Sequence, residues 1–268
     1  MVVASWKRLG ACVLLSVLGL ARSASADVIV GPQDGKVRGV GKKKAGKGTG
    51  FLFLNGERTE VHWSDGDSFK VKSGPFAGRG TRLSGYNTLE SFGPVHSWGA
   101  WTPEELYAIA KSSAAVASAQ EWTCTTDGKA DGYGRLLVLC PDLAAEMVRQ
   151  GQAMAYAVEG ASPLPGLLEL QAEAMREKRG IWAKGRVNGV LTSVHALGED
   201  GSKEPQAYNR VVDTRTGQAL KRAHTQRYAV CEKVCEDTDG ETSCMVYVPF
   251  SQRYRHKPDC LKVAKPKK

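Results

Sequence analysis

The sequence predicts a mainly β, α+β domain with three helices, followed by a small disulfide-stapled C-terminal module. Three observations carry this expectation. Apolar residues alternate with polar ones around Val61, Trp63, Phe69 and Val71, the two-residue period of half-buried strands. Three later stretches repeat apolar residues at helical spacing instead. Four cysteines then crowd into residues 208–268, a segment too short to bury much apolar surface without staples.

Residues 1–26 have the layout of a secretory signal peptide: a basic start (MVVASWKR), an apolar run (LGACVLLSVLGLA) and small residues ending at Ala26. Cys12 sits in a lipoprotein-like LGAC, but most of the apolar run follows it, which disfavours lipidation. No second apolar run nears the roughly 18 residues needed to span a bilayer. The expectation is a secreted or periplasmic protein with no stable membrane insertion. Losing residues 1–26 removes Lys7, Arg8 and Arg22 and no acid, so the net charge falls from +9 to +6. Such a chain suits nucleic acid, anionic cell wall or headgroups, and charge alone does not choose among them. Six cysteines remain, and an even number in an exported chain reads as three disulfides before it reads as a metal site.

Residues 27–49 are rich in glycine and lysine and have little to bury, which predicts a solvated basic arm. Residues 50–183 hold the patterned domain. Val61 and Trp63, then Phe69 and Val71, flank SDGD as strand, tight turn and strand. Arg82 and Leu83 end a further strand, and a loop carries Asn87 to Glu90. The run TPEELYAIAKSSAAVASA begins a helix, with Thr102 as N-cap, Pro103 in the first turn and Glu105 completing a capping box. EWTCT and GRLLVLC read as two strands joined by a polar turn, an arrangement that would let Cys124 and Cys140 pair. DLAAEMVRQGQAMA and LPGLLELQAEAMREKRGIWA read as two more helices. Residues 184–207 look like a linker with at most one short element. In residues 208–268, Cys231, Cys235, Cys244 and Cys260 would form two disulfides. Zinc is the second option there, although CEKVC lacks the spacing of a zinc knuckle.

The chemistry lies in a set of residues that are each weak alone. Hydrolysis of a phosphodiester needs the phosphate held, its transition-state charge neutralised, and a water relieved of a proton. Arginine grips two phosphate oxygens with a planar fork and keeps its charge, so Arg82 and Arg135 are candidate clamps. Asp67 with the oxygens of Asn87 and Thr88 offers a calcium-type donor set, and Glu90 is the candidate base. In SFGPVHSWGAW, Trp98 and Trp101 either stack on bases or pack the rim of the domain, and His96 is a minor candidate ligand.

The order DGDS, RLSGYNTLE, DGYGR, VRQGQAMAY and EAMREKRGIW resembles the staphylococcal nuclease (thermonuclease) family over residues 61–183. The resemblance implies a five-stranded OB-type barrel with three helices. It implies an endonuclease that cuts DNA and/or RNA with calcium, leaves 3′-phosphate ends and works as a monomer. It places calcium on Asp67, Asn87 and the Thr88 carbonyl, and makes Glu90 the general base and Arg82 and Arg135 the clamps. It also assigns Tyr133 to a phosphate and Tyr156 to base stacking. This chain departs from the family pattern at Asn87, where aspartate is usual, and at Leu89, where proline is usual. Asparagine keeps a carbonyl oxygen but loses a charge, so another divalent cation is an option. The rival is a non-catalytic polyanion-binding module on the same fold. A binding surface has no use for an acid beside the phosphate, so Arg82, Glu90 and Arg135 together favour catalysis.

Overall fold

A computed structural model describes residues 48–263. The expected signal peptide and nearly all of the basic arm lie outside the described residues. Strands β1 (Thr49–Leu54) and β2 (Glu57–Trp63) form an antiparallel hairpin. Its turn is Asn55-Gly56, with both residues at positive φ, the pair that matches the right-handed twist of the flanking strands. Leu52, Leu54, Thr59, Val61 and Trp63 point inward. After the Asp65–Asp67 turn, β3 (Phe69–Val71) sets Val71 against Val61 and Phe69 against Trp63, whose rings meet edge-on at 5.0 Å. Strands β4 (Thr81–Leu83), β5 (Tyr86–Thr88) and β6 (His96–Trp98) come next.

Helix α1 (Pro103–Ala117) starts as its sequence dictates. Thr102 accepts from the Glu105 amide, the Glu105 carboxylate accepts from the Thr102 amide, and Pro103 opens the first turn. A cap of this kind is worth about 1 kcal/mol. Strands β7 (Thr123–Cys124) and β8 (Leu136–Val138) are tied by the Cys124–Cys140 disulfide, whose Cα atoms are 4.3 Å apart. Helix α2 (Pro141–Arg149) then stops short of the expected helix. Gly151 lies at φ 65°, and GQAMA instead yields β9 (Ala153–Ala155), antiparallel to β5. Strand β10 (Ala157–Val158) and helix α3 (Leu167–Arg176) complete this part.

The segment 184–207, expected as a linker with at most one short element, contains β11 (Gly189–Ser193). Val190 and Leu191 are completely buried, and β11 is an edge strand of a sheet ordered β10-β13-β12-β11 with β12 (Ala207–Asp213) and β13 (Gln218–His224). Small and polar residues conceal a strand when both its faces are covered. The last strands, β14 (Lys233–Thr238) and β15 (Glu241–Val246), join β6 in a three-stranded sheet, ahead of the one-turn helix α4 (Phe250–Arg253). Cys235–Cys244 spans β14 and β15, and Cys231 bridges to Cys260, so the zinc option is excluded for these four residues. The C-terminal segment therefore shares two sheets with the preceding domain, and the described residues 48–263 belong to one compact unit.

The described chain is mainly β with four helices. It is not one continuous five-stranded sheet: β3-β2-β1-β7 is a four-stranded sheet, while β4-β8 and β5-β9 are two-stranded pairs. One apolar core lies between the β1–β3 hairpins, β8 and α2; a second joins α1, α3 and Trp182 to β11–β13. A third joins Phe92 and Val95 to β15 and Leu261. Among the described residues no helix is long and apolar enough to cross a membrane.

Candidate functional site

The Asp65–Asp67 turn is where the site begins. A Cβ on Gly66 would lie 2.7 Å from side-chain atoms of both Ser113 and Thr88, so only glycine lets this turn press against α1 and β5. The Tyr86 hydroxyl donates to the Gly66 carbonyl at 2.7 Å. The turn thus delivers Asp67, 2 % exposed, to the end of β4. Arg82 Nη1 donates to Asp67 Oδ1 at 2.7 Å, and the Thr88 amide donates to Oδ2 at 2.8 Å. Removing one partner from so buried a pair typically costs about 3–5 kcal/mol, because the other charge is stranded.

Asn87 completes the constellation. Its Oδ1 accepts from Arg82 Nη2, and its Nδ2 donates to the Thr88 carbonyl at 2.7 Å. The Arg82 guanidinium also lies over the Tyr156 ring, 5.9 Å from its centroid. Asp67, Arg82, Asn87, Thr88 and Tyr156 therefore lie together.

Glu90 comes just after β5, and its backbone amide donates to Nε2 of His96 at 3.1 Å. Burial holds the Glu90 carboxyl above its ordinary range, opposed by the charges of Arg253, Arg82 and Arg135 and reinforced by Asp67. Asp65 is raised further, by burial and by Asp67 and Glu90, against Arg82. Three acids, Asp65, Asp67 and Glu90, thus face the guanidiniums of Arg82, Arg253 and Arg135 across the cluster.

Arg135 stands at the start of β8 and is held by Asp131, which accepts from its Nε at 2.8 Å. Its guanidinium lies 5.5 Å from the Tyr133 ring centroid, and Tyr133 is 71 % exposed. Arg135 thus stands with Tyr133, at one side of the acid cluster. Trp98 and His96 are buried, and Trp101 donates from Nε1 to the Ile181 carbonyl at 3.0 Å. The tryptophan loop packs the domain, and His96 supports the Glu90 backbone.

Sequence reasoning missed the contribution of the C-terminal segment. Arg253 lies over the Phe92 ring at 5.2 Å, Tyr254 meets the same ring edge-on at 6.2 Å, and Lys257 Nζ donates to the Phe92 carbonyl at 2.7 Å. Tyr254 is 62 % exposed, so only partial burial of its hydroxyl, with the charges of Glu90 and Asp65, raises its pKa. No local spacing could have placed these residues beside Glu90, because the tie is made by tertiary packing alone.

The oxygens of Asp67, Asn87 and Thr88 are of the type a hard divalent cation takes, and here they accept from Arg82, the Thr88 amide and Asn87 Nδ2. Among the described residues no three His, Cys, Asp or Glu side chains are grouped to hold a metal by themselves. A cation here would draw on the Asn87 amide oxygen and the Thr88 carbonyl beside Asp67.

Fold and site together give a β-rich domain with a partly buried cluster of acids around Arg82. Residues 82–184 match the family described as staphylococcal nuclease homologue. That segment, which includes Arg82, Asn87, Glu90 and Arg135, is what the chain has in common with this family. The match begins at Arg82, so β1–β3 with Asp67 and the cysteine-rich segment lie outside it. No curated protein matches the chain. The three disulfides indicate an oxidising compartment.

Proposed function

We propose that this protein is an exported, metal-assisted endonuclease that hydrolyses phosphodiester bonds of DNA and/or RNA. The observation that carries the proposal is the Asp67–Arg82–Asn87 arrangement with Glu90 beside it, of which Arg82, Asn87 and Glu90 fall within the family-matched segment and Asp67 precedes it. The OB-type barrel is supported by a ring of pairings: β7-β1-β2-β3, then the Lys70–Gly80 bridge to β4, then β8, then the Thr125–Leu139 bridge back to the end of β7.

Asp67, Asn87 and the Thr88 carbonyl would hold the divalent ion, calcium or another cation that tolerates a neutral amide. When bound, that ion polarises the phosphate and orients water. Arg82 and Arg135 approach the phosphate from different strands and neutralise charge that develops on its oxygens. Glu90, held above the usual carboxylate range, takes the proton of the attacking water. The water oxygen bonds to phosphorus as the bond to the 5′ oxygen breaks, and the departing 5′ oxygen takes a proton from solvent, leaving a 3′-phosphate and a 5′-hydroxyl. Tyr133 contacts a phosphate and Tyr156 stacks on a base. The enzyme acts as a monomer.

Cleavage of end-labelled single-stranded DNA by residues 27–268 tests this, with calcium, with magnesium and with chelator. Ion-dependent cutting is expected. Binding without cutting under every condition would favour a nucleic-acid-binding module on the same fold.

A further inference from the structure

The strands beyond the family-matched segment carry a cationic, aromatic face that starts beside the candidate site. Register sets Arg210 of β12 opposite Lys221 of β13, and Tyr208 opposite Ala223. Tyr208, Arg210 and Lys221 therefore share one side of the sheet, while Asn209 and Val211 are buried on the other. The Lys221 ammonium lies 4.7 Å, and the Arg210 guanidinium 5.2 Å, from the Tyr208 ring centroid. Both cations are thus fixed over one ring rather than left to sweep through solvent.

Their charge is also left over. Elsewhere in this sheet the arginines have acids: Arg215 pairs with Asp213 and Asp239, and Arg222 with Glu236. Among the described residues neither Arg210 nor Lys221 has a carboxylate within 4.0 Å, the distance at which those other pairs form. Continuity with the site is supplied by Tyr133. Its exposed ring lies under Arg135 on one side, and its phenol neighbours that of Tyr208 on the other. An exposed ring next to unpaired cations suits a strand whose bases are free to stack, which duplex bases are not.

We propose that the β12–β13 face is a phosphate track for single-stranded nucleic acid, led from the arginine pair by Tyr133 and built from Arg210 and Lys221. The track rests on the nuclease reading for its direction, because it places the extra nucleotides beyond those gripped at Arg82 and Arg135. It makes the C-terminal strands part of substrate selection: chains long enough to reach the track bind more tightly than those that fill only the cleavage site.

The test is fluorescence anisotropy of labelled oligothymidylates of about four and about twenty nucleotides, in chelator, with the full chain and with Arg210→Gln/Lys221→Gln. Wild type is expected to bind the longer strand more tightly. The double variant should lose roughly tenfold on it at low salt, and its log–log salt slope should shrink by about 1.4, at about 0.7 per phosphate contact. Affinity for the short strand should be unchanged. In cleavage the variant should raise KM on the long strand and leave kcat alone. Unaltered long-strand affinity and salt slope would overturn the track whether or not the protein cuts DNA. The expected binding shifts in a protein that cuts nothing would sustain the track and remove the nuclease reading.

Discussion

The backbone amide of Glu90 donates to Nε2 of His96 at 3.1 Å, so a buried imidazole holds the chain at the candidate base. His96 accepts this bond only while Nε2 is unprotonated. Burial lowers its pKa from 6.5 to about 4. The unfolded chain takes up a proton near pH 6.5 and the folded one only near 4. The stability contribution is therefore complete above pH 6.5 and is lost as pH falls toward 4, on the order of 3 kcal/mol in all. Urea melts across that range should show a shallower acid loss in His96→Gln, which does not titrate, than in wild type.

Asn87 stands between Arg82 and the Thr88 carbonyl, accepting from one and donating to the other. Asn87→Asp adds a charge to an acid cluster and removes the donor that occupies that carbonyl. The variant should melt lower than wild type in chelator and gain more than wild type from added calcium. Equal calcium-induced shifts in the two proteins would remove Asn87 from the ligand set.

Gly93 joins the Glu90 loop to the C-terminal segment by close approach: a Cβ there would lie 2.6 Å from a Leu261 methyl and 3.1 Å from the Leu261 Cα. Because backbone must yield as well as side chain, Gly93→Ala should cost about 1–3 kcal/mol in chemical denaturation. A neutral result would mean that the C-terminal segment is not packed against this loop.

A chain ending near Ala183 tests how far the family domain depends on the strands C-terminal to it. Met154, Ile181 and Trp182 share a core with Val190, Val212 and Ala219, and β6 pairs with β15. The truncated protein should lose its near-ultraviolet circular dichroism and be digested by protease under conditions where the full chain survives. A stable, folded truncation would show that the two parts are independent.

Legibility in the sequence tracks the range of each signal. The helix start at Thr102, Pro103 and Glu105 is a contact across one turn, and the strand facing of Val61, Trp63, Phe69 and Val71 is a local alternation. The residues proposed to bear chemistry in the 65–90 stretch stand out in the sequence because their types suit a phosphate site and their order resembles that of a known family. Strand β9 was hidden because QGQAMA extends a helical pattern until Gly151 adopts positive φ. Strand β11 was hidden because burial on both faces erases alternation. Arg253, Tyr254 and Lys257 reach the Glu90 loop only through tertiary packing, aided by the Cys231–Cys260 link, and no spacing encodes that.

Glu90→Gln gives the most direct test of the proposed chemistry, with cutting and binding of the same labelled single-stranded DNA measured side by side. Glutamine keeps the shape and the backbone amide bonded to His96, but cannot take a proton from water. The expected result is a loss of cleavage of at least about a hundredfold, the usual worth of a positioned base, with DNA affinity retained. Cleavage near the wild-type rate, or loss of binding in step with cleavage, would contradict Glu90 as the base.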